Sequence, residues 1–383
     1  MPKKVLIFAG PVHPNPPLKG AAVETWMFET AKRLINFEPH IVSIGNPFYA
    51  ERQYKDNIYF YRINFGKLYK RFFQKMTKLD PLSYPKRILK IINEVKPDII
   101  HVHNTVKWFF PIIKELDTKI KKILHFHNEI SISTPLEVDA FIGCSNYIVN
   151  IYKNNEKIKA KQFKCIYNGV DSQKFSPYWE LAELRKTIRR RFKINENEFV
   201  VLFVGRISPE KGVEHFVKVA INLKEFENIK FVVVGEIAKR GDRFDYAKKI
   251  FELSRKLNNK ITFTDVFPPS KIHQIYLIGD VVLIPSEFNE PFGMVALEAM
   301  ATGLPVITRA RGGLKEYIYH GINGFFLKED NLLNNGAELV KTLMIDKQLH
   351  QKISKEARKT AEKFDWLYIS EELEIFYNEI LEK

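Results

Sequence analysis

Two glutamates, Glu290 and Glu298, stand in the segment VVLIPSEFNEPFGMVALEAMATG (281–303). A buried strand reads to Ile284, the loop PSEFNEPFG follows, and a helix beginning near Pro291 or Phe292 closes at Gly303. Eight helical residues rise about 12 Å, roughly the reach from a hexose to a ribose across a diphosphate. The helix start offers the N–H groups of Phe292, Gly293 and Met294 to an anion or a ligand oxygen, and Gly293 lets the ligand approach the backbone. Either glutamate alone also reads as a helix-face acid or a charge that complements the dipole.

The segment FVVLFVGRISPEK (199–211) is a second candidate. Its strand runs out at Gly205, with Arg206 and Lys211 just beyond. Two cations at a strand's carboxyl end can clamp a diphosphate and stabilise charge building on a leaving phosphate. A solvated basic loop is the plain alternative. The loop after the first strand, AGPVHPNPPLKGAAVE, carries four prolines before Gly20, which offers close backbone approach, and then opens a helix. It has no G-x-G-x-x-G fingerprint.

Histidines cluster in DIIHVHN (His101, His103) and LHFHNE (His125, His127), with Glu129 following. Strand alternation puts each pair on one face. No cysteine or further carboxylate completes a ligand set, so hydrogen bonding to a sugar fits better than a metal. His127 is the best single candidate, and His103 and Glu129 are assigned to the acceptor side. G-x-S-x-G, Walker A and D-x-D motifs are absent. Arg206 and Lys211 can take the electrostatic role of a metal at a diphosphate, so no metal and no cofactor is expected.

These residues need strand ends to hold them. Strands are expected at Val5–Ala9, His40–Ile44, Ile58–Ile63, Asp98–His103, Ile123–His127, Ala140–Cys144 and Phe163–Tyr167. Helical patterns occupy Glu24–Leu34 and Pro85–Val95. A second series runs Phe199–Val204, Lys230–Val234, Ile261–Phe263, Val281–Ile284 and Pro305–Thr308. Apolar strands alternating with helices predict two α/β, doubly wound, Rossmann-like domains whose parallel sheets bind ligands beyond the strands' carboxyl ends, in an interdomain cleft. The polar stretch Ser176–Glu198, with Arg189-Arg190-Arg191, marks the boundary.

The composition fits this architecture. The chain has 383 residues, 45% of them apolar, which excludes wholesale disorder. Its two cysteines cannot build a disulfide framework and suit a reducing compartment. No apolar run is long enough to span a membrane, and a cytoplasmic location is expected. The net charge is +15, of which residues 1–180 hold +12 (28 Lys+Arg against 16 Asp+Glu). The segment KLYKRFFQKMTKL (67–79) places Leu68, Phe72, Met76 and Leu79 along one helical face among five cations. It predicts docking on an anionic membrane surface, with an ordinary surface helix as the alternative. No nucleic-acid motif accompanies the charge, and no nucleic-acid partner is expected.

The chain resembles the family 4 retaining glycosyltransferases of the GT-B fold, and its pattern is most similar to spore-coat and surface-polysaccharide members. The resemblance covers nearly the whole chain. It rests on KGAAVE, HNE (127–129), YNGVDSQKF (167–175), VGRISPEKG (204–212), EPFGMVALE (290–298), ATGLPVI (301–307) and RGGLKEYIYHGINGFF (311–326). Two positions depart from the family pattern: Ala21 replaces a second loop glycine, and Val266-Phe267 stands where glycine is common near the base.

The resemblance implies sugar transfer from a nucleotide-diphosphate donor, with a UDP-sugar favoured over a GDP-sugar, to a glycan or lipid-linked acceptor. It implies Arg206 and Lys211 on the diphosphate, Glu298 on the ribose, Glu290 at the donor sugar, and the amides of Phe292, Gly293 and Met294 on sugar and phosphate. It places His127 near the sugar's primary hydroxyl, and Gly20 at the diphosphate and acceptor. A last helix (365–383) is expected to return to the first domain, giving domains 1–178 plus 365–383 and 179–364. A non-enzymatic carbohydrate-binding relative and a sugar-nucleotide epimerase of the same fold are the rival readings.

Overall fold

The computed structural model describes residues 2–18, 20–66, 80–238, 240–264, 267–268 and 270–383. The chain divides into two units, Met1–Gly169 with Trp366–Lys383, and Val170–Asp365.

The first unit is built on β1 (Lys3–Phe8), β2 (Phe37–Ile44), β3 (Arg52–Lys55), β4 (Ile58–Ile63), β5 (Ile99–His103), β6 (Lys121–Phe126), β7 (Leu136–Gly143) and β8 (Ile158–Cys165). Their order is β3-β4-β2-β1-β5-β6-β7-β8. Neighbours run parallel, except that β3 pairs antiparallel with β4. Strand β3 escapes the sequence pattern because RQYK is polar and lies at the edge. The turn before β4 places Asp56 and Asn57 at φ 52° and 64°, the left-handed pair that a two-residue hairpin of this twist demands. The helix Tyr84–Val95 has Pro85 in its first turn and ends at Lys96 in the left-handed conformation.

Strand β1 lies between β2 and β5, so chain order reverses there and a crevice is expected beyond their carboxyl ends. The last helix, Trp366–Glu382, completes this unit's core. Ile369, Leu373, Phe376 and Ile380 share its buried face, packed with Trp26, Leu34 and Phe37. Glu374 accepts hydrogen bonds from the amides of Ile35 and Asn36 at 2.9 and 2.8 Å, holding the end of the connection after the helix Ala22–Ala31.

The second unit contains β9 (Phe199–Val204), β10 (Ile229–Val234), β11 (Ile261–Thr264), β12 (Val281–Ile284), β13 (Val306–Thr308) and β14 (Phe325–Phe326). All pair in parallel, in the order β11-β10-β9-β12-β13-β14. Strand β9 sits at the reversal of order, so the loops after β9 and β12 emerge side by side. Strand β14 has two residues, too few to leave a periodic signal.

The division falls earlier than residue 178. Residues 170–178 pack within the second unit: the Tyr178 amide donates to the Thr302 carbonyl at 3.0 Å, and Phe175 meets Tyr276. The polar stretch read as a boundary is not a linker either. It contains the helix Ala182–Arg191, whose Arg185 and Arg189 grip Asp280 at 2.6 and 3.2 Å, with Arg189 buried. Asp280 in turn accepts from the Val200 amide at 2.7 Å at the start of β9.

No described helix is long and apolar enough to cross a membrane. The segment 67–79 lies outside the described residues, as does Val266.

Candidate active site

The second unit brings four of the expected residues together at the ends of β9 and β12. Pro209–Lys211 forms one turn of 3-10 helix, and Gly212 follows with φ 71°. A Cβ at Gly212 would lie 2.0 Å from the Pro285 carbonyl oxygen, so glycine lets the two loops touch. The Glu287 amide donates to the Glu210 carbonyl at 2.9 Å, a second tie between them.

Lys211 thereby reaches Glu290, with Nζ 2.8 Å from Oε1, and the Ser286 hydroxyl donates to the same oxygen at 2.8 Å. Both partners are largely buried, and the Lys211 ammonium also sits 4.4 Å from the centre of the Phe288 ring. Arg206 differs. Its side chain is 55% exposed and meets Glu210 at 3.5 Å, so it is open to an incoming anion.

The helix begins later than the sequence suggested. It spans Met294–Ala301, with Gly293 as its cap at φ 96°. Glu290 therefore precedes it, and the 12 Å helical rise does not measure the Glu290–Glu298 separation. A Cβ at Gly293 would stand 2.3 Å from Leu314 Cδ2, so the turn has no room for another residue. The Tyr317 hydroxyl lies 2.8 Å from the Gly293 carbonyl oxygen and 3.1 Å from that of Phe292, locking the turn from below. Phe292 itself is buried and packs against Tyr317, so its ring is structural. Met294 opens the helix, where first-turn amides have no intrahelical acceptor.

Glu298 lies one helix face further on, partly buried, and the Tyr276 hydroxyl donates to its Oε2 at 2.6 Å. Burial pushes its carboxyl up to about 7, although the Tyr276 hydrogen bond and the field of Lys174 pull downward.

A supporting layer was not anticipated from the sequence. Arg309, 6% exposed, pairs with Glu287 at 2.7 Å and with Glu329, while Arg311 meets Glu329 at 3.2 Å and donates to the Glu287 carbonyl. Gly312 and Gly313 then pass under Glu290, whose carbonyl accepts from the Gly313 amide at 2.8 Å. The signal was present: RARGG (309–313) immediately follows β13, another strand end on this side of the sheet.

In the first unit the histidines form two hydrogen-bonded chains beneath Trp26, whose ring lies 4.7–5.7 Å from all four. Asn168 Oδ1 lies 3.0 Å from His127 Nδ1, and His127 Nε2 lies 3.0 Å from His103 Nδ1. His101 joins the Tyr377 hydroxyl at 2.6 Å and His125 at 3.2 Å. Burial lowers all four, His127 to about 4 and the others well below the usual value, so they are neutral at pH 7.

His101, His103 and His125 each bring a potential ligand atom within 4.8 Å of the others. His101 Nε2 and His125 Nδ1 are already engaged with each other, however, and His103 Nδ1 with His127. His103 has no exposed surface, so it supports His127 and does not meet an acceptor directly. His127 is 4% exposed with both ring nitrogens occupied.

Glu129 is exposed and receives the Tyr147 hydroxyl. Gly20 is exposed, and a Cβ there would meet nothing within 4 Å, so packing within the chain does not demand glycine.

Comparison with known proteins gives this geometry a family. The chain is 32% identical over 385 residues to the lipopolysaccharide 1,2-N-acetylglucosaminetransferase of Salmonella typhimurium, covering 98% of each. It belongs to the family 4 glycosyltransferases of the GT-B fold. Residues 20–174 match the model described as Glycosyltransferase Family 4, and residues 185–360 match glycosyl transferases group 1. Spore coat protein SA of Bacillus subtilis is 26% identical, covering 97% of this chain and 98% of its own. The Anabaena protein HepE, solved with UDP and glucose, superposes with a TM-score of 0.75 at 21% identity, covering 98% of this chain and all of its own. As a member of this family the chain is a glycosyltransferase, and the Lys211–Glu290 and Glu298–Tyr276 pairs lie within its group 1 match.

Proposed function

We propose that this glycosyltransferase moves a sugar from a UDP-sugar to a hydroxyl of a glycan or lipid-linked acceptor in cell-surface polysaccharide synthesis, with retention at the anomeric carbon and without a metal. The observation that carries this reading is the Lys211–Glu290 pair beside the exposed Arg206, at the carboxyl ends of β9 and β12. Two cations there suit the donor's diphosphate and the charge that grows on it as the glycosidic bond breaks. The UDP and glucose in the HepE structure, and the name of the lipopolysaccharide 1,2-N-acetylglucosaminetransferase, motivate the donor and acceptor classes.

The acceptor oxygen forms its bond to the anomeric carbon on the face from which the phosphate departs. Its proton passes to the departing phosphate oxygen. Catalysis is then positioning plus stabilisation of phosphate charge. Glu290, held by Lys211 and Ser286, orients the donor sugar's hydroxyls.

Thermal shift and transfer assays with UDP-, GDP- and ADP-sugars test this in excess EDTA, with the product anomer read by NMR. A nucleotide at one hundred times its Kd adds about 2.7 kcal/mol. Stabilisation by UDP and EDTA-insensitive, retaining transfer are expected. Loss of transfer in EDTA, an inverted product or stabilisation by GDP alone would overturn the corresponding part.

A further inference from the structure

Glu298 does not stand alone in its surroundings. The short helix Ile272–Tyr276 precedes β12 and carries Tyr276 under the helix Met294–Ala301. Tyr276 is wholly buried, and Phe175 packs against its ring at 5.9 Å. Its hydroxyl reaches Glu298 Oε2 at 2.6 Å, a length typical of a donor on an ionised acceptor. A phenol so enclosed has its direction fixed by packing, so it also fixes the carboxylate it touches.

We propose that Tyr276 is a positioning residue that holds the Glu298 carboxylate as a hydrogen-bond acceptor for the ribose hydroxyls of the donor. This rests on the reading of Glu298 as the ribose ligand. The carboxylate has one oxygen committed to the phenol, and the other is presented in a set rotamer. An ionised carboxylate accepts from both members of a diol, whereas a protonated one spends a position as a donor.

Burial raises Glu298 and the phenol counteracts that rise. The other charge acting on it is Lys174, and Lys174 and Asp171 both act on the neighbouring His273. Glu298 is the only titratable residue on its own helix.

The test is donor KM and kcat against pH for wild type, Tyr276→Phe and Glu298→Gln, using UDP-N-acetylglucosamine or UDP-glucose, whichever supports transfer, and its 2′- and 3′-deoxyribose analogues. Tyr276→Phe keeps the buried ring, so kcat reports an intact fold. Expected at pH 7 is a rise in donor KM of about tenfold with kcat unchanged. Recovery toward the wild-type KM is expected by pH 9, where the less supported carboxyl ionises. Unchanged KM in Tyr276→Phe at every pH, while Glu298→Gln loses discrimination against the deoxy analogues, would overturn the positioning role alone. So would a joint loss of kcat and KM that pH does not repair. If wild type and Glu298→Gln treat the deoxy analogues alike, the ribose reading falls and the proposal falls with it.

Discussion

Lys211 Nζ and Glu290 Oε1 meet at 2.8 Å across 79 residues of chain, joining the loop after β9 to the loop after β12. Because the contact is largely shielded, neither residue can be removed without leaving its partner's charge in a partly dry site.

Arg206 and Lys211 should therefore separate activity from stability. Arg206→Ala should lower kcat by about a hundredfold or more. Its exposed position predicts a stability change within about 0.5 kcal/mol. Lys211→Ala should depress turnover similarly and also cost about 1–3 kcal/mol. Steady-state kinetics alongside urea unfolding measure both. Near-normal transfer by the double variant would remove these residues from the phosphate site.

Gly312 tests the support beneath Glu290. Its φ is 56°, and an added Cβ would sit 2.1 Å from the Glu290 carbonyl oxygen. Gly312→Ala should cost about 1–3 kcal/mol in backbone strain and displace the Glu290 turn, raising donor KM. Unchanged kinetics and melting would show that the turn yields without consequence.

Two groups give opposite pH dependences. His127 is lowered to about 4, so the unfolded chain binds the extra proton between pH 6.5 and 4. Stability present above pH 6.5 is then lost as pH falls, by about 3 kcal/mol from this residue. Glu298 is raised to about 7, so the folded chain binds the extra proton and gains stability as pH falls from 7 to 4.5. His127→Asn should flatten acid destabilisation and Glu298→Gln should steepen it, as read by denaturant midpoints from pH 7 to pH 4.5. Parallel curves for both variants would contradict these assignments.

The last helix should be required by the first unit. Leu373 is fully buried against Trp26 and its neighbours, and Leu373→Ala should cost about 2–5 kcal/mol. Hydrogen exchange should show the loosening in residues 1–169 and spare 170–365. Equal loosening of both units would indicate that the division does not define cooperative blocks.

The segment 67–79 carries a prediction from its sequence. Salt-sensitive cosedimentation with anionic vesicles is expected, and reversing Lys70, Arg71 and Lys75 to glutamate should reduce it severalfold. Binding unaffected by that reversal would leave the basic face without a lipid role.

Much of the fold was legible because parallel strands buried on both faces read as apolar runs. Val201–Val204 and Val281–Ile284 stand out for that reason. Strand β8 was recognised only in its second half, since Ile158–Gln162 alternates at an edge and looks polar. Arg189 was read as part of a polar boundary stretch because a charge run resembles solvent-facing sequence, and its partner Asp280 is remote in the chain. In the candidate site, Arg206, Lys211 and Glu290 were singled out beyond strand ends and Glu298 on the helix that follows. Tyr276 and Tyr317 were not, because a buried tyrosine with one aimed hydroxyl is indistinguishable from core until its partner is known.

The second unit enters and leaves at one place. Val170 bridges to Asp365, and the Val170 amide donates to the Phe364 carbonyl at 2.8 Å. Its two ends are thus clasped together by its own backbone, and the first unit resumes immediately at Trp366. Topologically, residues 170–365 are a cassette inserted into a host formed by residues 1–169 and 366–383. Such an arrangement lets evolution, or an engineer, exchange the group 1 half at a single pair of adjacent junctions while the host keeps its chain direction and its closing helix.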